Sequence, residues 1–399
     1  MPMRKFAFVN IAEDDKVTEL IQKLSDAGFE IIFSEETAEV LTDIGLPVVR
    51  INSLTDEEYY GFSGIKFAAC KYGENAYQSP AALYTRDLDD PLGLDKFKLI
   101  SGTAPSYNNY GDLDRLLQTI THIAATFDIN HGIVPKIAIG VKHGNACGVG
   151  VSHDQSSAIK KMVTGDPTAL FGGLVMVNFP IKAETAELLL THATENRRLL
   201  DGIIAPDFTP EAIDLLKHKG DKCRFIANQK LAELNRWRVD EEIIVRYVRG
   251  GFLLQPNYTF ILDLASPDLK KYGEATITEE DDMLLAKAIS DTSNSNTITI
   301  VKDGQLLANG VGQQSRVRGA KLAFELGDDN NHDLRGAAAS SDSFFPYIDG
   351  PEVLALAGIK AIISTSGSIR DKEVIDFCQQ RGMALYLIPD AKGRGFFNH

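Results

Sequence analysis

The sequence predicts an α/β protein, with a small N-terminal βαβαβ unit followed by two larger α/β halves. Short apolar runs of strand length, such as IAIGV at 137–141 and GIIA at 202–205, alternate with longer segments of helical period. Glycines and polar clusters punctuate the junctions, as at Gly28, Gly172-Gly173 and Gly310-Val311-Gly312. The 399 residues suffice for more than one domain and a substantial core.

In order, residues 5–10 read as a strand and 14–26 as an amphipathic helix, with Val17, Leu20, Ile21 and Leu24 on its apolar face and Gly28 as its stop. Residues 29–33 form a second strand, 36–43 a second helix and 46–51 a third strand, with right-handed crossovers expected. The loops Asn10-Ile11-Ala12-Glu13 and Ser34-Glu35-Glu36-Thr37 lack phosphate-loop glycines and carry acids that repel phosphate. The unit therefore reads as scaffold. A boundary is expected over 55–64. KYGENAYQ (71–78) has no helical or strand period and reads as a binding loop or a structured turn. Ser106-Tyr107-Asn108-Asn109 reads as a polar turn capping a helix over 112–127.

The run 137–141 has the length and composition of a buried parallel strand, and ligands collect beyond the carboxyl ends of such strands. The loop that follows is Lys142-His143-Gly144-Asn145-Ala146-Cys147-Gly148. Its glycines permit a bend and close approach to a ligand. Lys142 supplies a cation, His143 a titratable imidazole and Asn145 a two-way amide. The dipeptide alone leaves open a chance Lys-His pair on a surface loop. Helices over 155–163, 184–195 and 209–219 then alternate with strands over 174–178 and 202–205. Residues 228–246, with the single tryptophan Trp237, read as the junction between halves. The second half carries a helix over 279–290, a strand over 297–301, the turn Asp303-Gly304 and a Gly-rich turn ending on Arg316. Helices over 318–324, 351–357 and 371–381 and strands over 361–364 and 384–387 complete it. Sequence similarity between the halves is weak. The divisions expected are 1–55, 65–240 and 241–399.

The net charge of −14, from 55 acids and 41 bases, argues against a general nucleic-acid binder but leaves room for a small anion in a local basic pocket. Cys70, Cys147, Cys223 and Cys378 form no CxxC pair and no histidine stands at metal spacing, so a reducing cytosol and no metal site are expected. No apolar run reaches the roughly 18 residues of a membrane span, and no signal-peptide pattern opens the chain. A cytoplasmic protein is the expectation.

Together these stretches resemble the transformylase domain of the bifunctional purine-biosynthesis family that joins aminoimidazole carboxamide ribonucleotide (AICAR) formyltransferase to inosine monophosphate (IMP) cyclohydrolase. The resemblance runs from Lys71 to His399. It rests on KYGENAYQ, SYNN followed by DLD, VKHGNACG, DPTALFGG and a C-terminal block. That block holds SNSNTI, KDG, GVGQQSRV, SSDSFFPYIDG, AGIKAIISTSGSIRD and the terminal His399. It implies two cytidine-deaminase-like α/β halves, a homodimer with sites at its interface, AICAR as substrate and 10-formyltetrahydrofolate as co-substrate. A bound monovalent cation is left open. By the same resemblance Lys142 and His143 are the catalytic pair and Asn296 works beside them. Lys71, Tyr72, Gly73 and Asn75 surround the ribonucleotide, and Arg316 faces its phosphate. Phe344, Tyr347 and Asp349 lie near the folate and the nucleotide carboxamide. The chain departs from the family at Lys71 for Arg, Tyr77 for His and Ala146 for Pro, and Arg394 lies one residue off the family's Arg.

In that chemistry His143 accepts the proton lost by the attacking amine, while Lys142 and Asn296 stabilise the oxyanion. Cys147 is read as packing. The family's cyclohydrolase domain is much longer than the 70 residues ahead of Lys71 here, and its SDKTG and STGGT phosphate loops read IAEDD and SEET. Loss of ring closure, and a separate IMP cyclohydrolase, are therefore expected. The alternatives are a bifunctional enzyme that also closes the ring, or a non-catalytic nucleotide- or folate-binding regulator.

Overall fold

The computed structural model describes residues 5–9, 17–27, 29–33, 64–86 and 89–397. It forms two compact units, Met1–Ser63 and Gly64–His399. In the first, β1 (Lys5–Val9) pairs in parallel with β2 (Phe29–Phe33), starting at Lys5↔Phe29. The connection passes through α1 (Val17–Asp26), on which Ile21 is buried. The expected second helix and third strand, and both acidic loops, lie outside the described residues, as does His399.

The larger unit opens with the hairpin β3 (Ile65–Cys70) and β4 (Ala81–Thr85), which the 71–80 loop closes. Then come β5 (Lys98–Ser101), α2 (Tyr107–His131), β6 (Lys136–Lys142), β7 (Asn145–Ser152), α3 (Gln155–Val163) and α4 (Pro167–Leu170). The first half continues with β8 (Leu174–Val177), α5 (Ala183–Thr191), β9 (Gly202–Ala205), α6 (Pro210–Leu216) and β10 (Arg224–Ala227). A second hairpin, β11 (Ile243–Val248) and β12 (Gly251–Pro256), stands apart from the large sheet. The second half begins with β13 (Lys270–Tyr272), α7 (Ile277–Asp291), β14 (Ile298–Lys302), β15 (Gln305–Gly310) and α8 (Arg316–Asp329). It ends with β16 (Ala338–Ser341), α9 (Asp349–Leu356), β17 (Ala361–Ser366), α10 (Asp371–Gln380), β18 (Ala384–Pro389) and α11 (Asp390–Gly393).

Twelve strands form one mixed sheet in the order β13-β18-β17-β16-β14-β15-β7-β6-β8-β9-β10-β5. The order is two-fold about its centre. Each half runs from an antiparallel edge strand through a long helix into a hairpin, then through three mutually parallel strands. Side chains alternate faces as the pleat requires. Ile137, Ile139 and Val141 pack on Leu113, Leu116, Ile120 and Ile123 of α2, whereas Ala138 packs on Ile159 and Met162 of α3. Helix α7 shares the α2 face through Leu285 and Ile289. No helix among the described residues is long and apolar enough to cross a membrane.

Two expectations are corrected. The strand at 137–141 is not parallel: β6 is antiparallel to both β7 and β8. Only His143 and Gly144 separate β6 from β7, and a parallel return needs a crossover of a dozen or more residues. The apolar run reflects burial on both faces, which a central antiparallel strand shares. Ser106-Tyr107-Asn108-Asn109 is not a turn ahead of the helix but its first turn. The Ser106 hydroxyl accepts from Asn109 N and the Asn109 side chain accepts from Ser106 N, a capping box that starts α2 at Tyr107.

The halves also share the pattern Val-Lys-x-Gly at the hairpin, which similarity over longer windows hides. Val141-Lys142-His143-Gly144-Asn145 superposes in topology on Val301-Lys302-Asp303-Gly304-Gln305. The turn residues have φ of 51° and 75° in the first and 53° and 69° in the second. Positive φ at both central positions matches the right-handed strand twist of a two-residue hairpin.

Candidate active site

The site is built around the tip of the β6–β7 hairpin. Helix α2 grips this tip from both sides of Gly144. Asp112 Oδ1 accepts from Gly144 N at 2.7 Å, and Arg115 Nε donates to Gly144 O at 2.9 Å. Asp112 and Arg115 lie one turn apart on α2, so a single helix face fixes the turn. Arg115 also donates to Thr292 O, and its guanidinium stacks on the Phe397 ring at 3.4 Å from the centroid. His143 stands exposed at the tip. It opens onto a cleft of about 470 Å³ whose walls include Glu74, Tyr107, Asp112, Asp114, Asn294 and Phe397.

Burial pushes the Asp112 carboxyl up, and the Gly144 amide, His143, Lys142 and Arg115 oppose that shift. Lys142 points elsewhere. Its Nζ donates to Phe171 O at 2.8 Å, in the turn before β8. Asn145 accepts from Asn294 N at 3.1 Å, tying the hairpin to the segment after α7. Gly148 serves packing rather than a ligand, since a Cβ there would collide with Met162 O of α3. Cys147 is inert: burial pushes its thiol up to about 12, and Sγ donates to Gly140 O.

A second cluster of polar side chains comes from the other half. Asn296 donates to Gln313 O through its backbone N at 3.1 Å and its Nδ2 at 2.7 Å, and Gln313 N returns to Asn296 O at 3.1 Å. The glycine-rich turn is thereby stitched to 294–296. Arg316 opens α8, and its Nη2 lies 3.4 Å from Asp342 Oδ1. Its Nε is buried without a hydrogen-bond partner among the described residues. Desolvation lowers the Arg316 pKa, and Arg394 adds to the lowering. Asp342 is fully buried and accepts from Ser295 Oγ at 2.5 Å. It therefore links the neighbour of Asn296 to Arg316. Phe344 lies between two guanidiniums, with its ring 6.0 Å from Arg316 and 5.6 Å from Arg394.

The family model described as AICARFT/IMPCHase bienzyme matches residues 35–326. The chain belongs to the AICARFT/IMPCHase family. It is 36% identical over 328 residues to the bifunctional purine biosynthesis protein PurH of Neisseria meningitidis serogroup C, covering 82% of this chain and 57% of that protein. To PurH of Aquifex aeolicus it is 32% identical over 315 residues, covering 79% of this chain and 57% of the relative. To PurH of Anoxybacillus flavithermus it is 35% identical over 323 residues, covering 80% and 58%. The chain thus spans a little over half the length of these relatives.

Apart from Lys142, the residues that the family resemblance singles out make three sets of contacts. His143 and the Lys71–Gln78 loop meet at the cleft. In that loop Gly73 N donates to Gln78 O at 2.8 Å and Asn75 N to Gln78 Oε1 at 2.8 Å, while Asn108 Nδ2 of α2 reaches Glu74 O at 3.4 Å. Lys71 lies over the Tyr72 ring at 5.9 Å. Asn296, Arg316 and Phe344 form the second group around Asp342. Tyr347 and Asp349 are the third: Arg370 stacks on Tyr347 at 4.8 Å, and Asp349 Oδ1 accepts from Gly350 N at 2.8 Å. Neither Tyr347 nor Asp349 lines the His143 cleft. Sequence reading missed Asp112, Arg115, Asn294, Asp342 and Phe397. The signals available were the DLD, SNSNTI and SSDSFFPYIDG signatures, which contain Asp112, Asn294 and Asp342, and the Asp112/Arg115 spacing on a capped helix.

Proposed function

We propose that the chain transfers the formyl group of 10-formyltetrahydrofolate to the 5-amino group of AICAR, giving FAICAR and tetrahydrofolate. Family membership narrows the activity to formyl transfer or ring closure in purine biosynthesis, and the observation that favours formyl transfer is His143 on a rigid hairpin tip facing a cleft of substrate size. The amine of AICAR is a weak nucleophile, because its lone pair is delocalised into the ring and carboxamide. Attack on the formyl carbon makes an oxyanion and requires loss of a proton. The His143 imidazole is suited to accept it. Holding two substrates together can contribute about 7–11 kcal/mol. In this reading the Asn296 and Arg316 cluster supplies an amide for the oxyanion and a cation for the ribonucleotide phosphate. Lys142 would have to leave the Phe171 carbonyl to take part. We read the two-fold sheet as a pair of cytidine-deaminase-like halves. A turnover assay with AICAR and 10-formyltetrahydrofolate tests the proposal; absence of FAICAR under saturating substrates would favour a binding regulator.

The reading includes a homodimer. The β11–β12 hairpin exposes Ile243, Tyr247, Phe252, Leu253 and Leu254, with Tyr247 80% exposed. By register Ile243, Tyr247, Phe252 and Leu254 share one face of the ribbon; a two-stranded ribbon needs a packing partner to be stable, and apolar surface of this kind marks interfaces. Light scattering at assay concentration is expected to give twice the chain mass. A fully active monomer would refute it.

It also includes the absence of ring closure. Glu13, Asp14, Glu35 and Glu36 put negative charge where the family's phosphate loops put hydroxyls, glycine and lysine. Supplied with FAICAR, this polypeptide is expected to form no IMP above the uncatalysed rate. IMP formation proportional to protein concentration would establish the bifunctional alternative.

A further inference from the structure

The internal duplication separates what the hairpin tip needs for folding from what it adds. Both lysines of the shared Val-Lys-x-Gly pattern do the same task. Lys142 Nζ donates to Phe171 O at 2.8 Å and Lys302 Nζ to Arg335 O at 2.8 Å, each carbonyl three residues before the next strand. Both preceding helices carry an aspartate at their sixth residue, Asp112 in α2 and Asp282 in α7.

The two aspartates are used differently. Asp282 is 2% exposed and spends both oxygens on its turn: Oδ2 accepts from Asp303 N and Oδ1 from Gly304 N, each at 2.7 Å. Asp112 spends only Oδ1, on Gly144 N, and its Oδ2 has no hydrogen-bond partner among the described residues. It is half-buried and opens onto the cleft that His143 faces. The residue that follows the lysine is aspartate in the closed copy and histidine in the open one.

We propose that Asp112 is the positioning residue of His143, orienting the imidazole through the carboxylate oxygen that the turn leaves free. This rests on the formyltransferase reading above. In the reaction the amine nitrogen bonds to the formyl carbon, and the imidazole takes the amine proton. The bond from that carbon to the folate nitrogen then breaks, and the proton passes to that nitrogen. Asp112 takes no proton; it holds the ring and stabilises the imidazolium. The charged groups around His143 are Asp112, Asp114 and Arg115 of α2, Lys142 of its own hairpin and Glu74 of the 71–80 loop.

The test compares Asp112→Asn with Asp282→Asn. Asparagine keeps an acceptor for the Gly144 amide but removes the charge. The acidic limb of kcat/KM, and the midpoint of the His143 imidazole followed by NMR, are expected to move to lower pH by about one unit in Asp112→Asn. The direction follows from removing an anion that favours the imidazolium. In the same variant kcat is expected to fall about 10²-fold. Asp282→Asn is expected to lower the thermal midpoint and leave both pH curves in place. If Asp112→Asn does not fold, Asp112→Ser gives the same two readouts. Unchanged limb and midpoint, with only a lowered thermal midpoint, would overturn the inference. An inactive wild-type protein would overturn the formyltransferase reading alone, since the NMR midpoint still decides the role of Asp112.

Discussion

Replacing His143 with alanine is expected to lower kcat for AICAR formylation by about 10²–10⁴-fold, the usual contribution of a general base. The fold should survive. His143 is exposed, and the hairpin tip is held through the backbone of Gly144 by Asp112 and Arg115 rather than through the imidazole. Its φ of 51° is an uncommon backbone state for which alanine has no special preference. His143→Asn is the better-controlled variant, because asparagine tolerates the left-handed region while lacking a titratable group. Both variants should keep the wild-type thermal midpoint and bind AICAR. Because the loss is confined to proton transfer, it should appear in kcat more than in KM. Retention of more than about a tenth of wild-type kcat in either variant would remove His143 as the base.

Much of this site was legible in the sequence, but unevenly. The helix at 155–163 and the strand at 202–205 were read to their ends. For the helix the signal is local: Asp154 caps it through Ser157 N. His143 and Gly144 were legible as a turn because their residue types permit it. The direction of β6 was not, since an apolar run reports burial on two faces and is silent on its neighbours' polarity. Nor was the use of Lys142. A lysine after a strand reads as a cation offered to a ligand, and only the placement of the turn before β8 shows the Phe171 carbonyl within reach. Asp112 and Arg115 meet Gly144 across about thirty residues, and Arg115 meets Phe397 across the length of the unit. Such contacts are set by helix packing on the sheet, which no local pattern encodes. The correspondence of Val141–Asn145 with Val301–Gln305 is visible as the shared pattern Val-Lys-x-Gly, yet only the shared turn geometry gives that match its weight.

The largest stability effect is expected away from the cleft, at Lys287. It is 1% exposed and ion-paired with Asp291, 3% exposed, one turn along α7. Lys287 Nζ also donates to Gly393 O at 2.7 Å, and Tyr258 OH donates to Asp291 Oδ2 at 3.0 Å. The cluster pins the C-terminal segment, which continues through Gly395 N on Asp342 O and Phe397 N on Ser293 O. Two charges out of water offset each other only while both are present. Lys287→Met removes the cation and leaves the Asp291 carboxyl buried without it, at a cost of about 3–5 kcal/mol. Burial already pushes that carboxyl up to about 6, and Lys287 is the largest influence opposing the rise. Lys287→Met should therefore lower the denaturation midpoint of the larger unit strongly. Adding Asp291→Asn should recover a large part of the loss, because the stranded charge is gone. The single variant should also lose activity, since the released segment carries Arg394 beside Phe344 and Phe397 beneath Arg115. The double variant should regain stability more fully than activity, because Gly393 O still lacks its ammonium donor. Equal midpoints for Lys287→Met and wild type would show that the buried pair does not hold the segment in place.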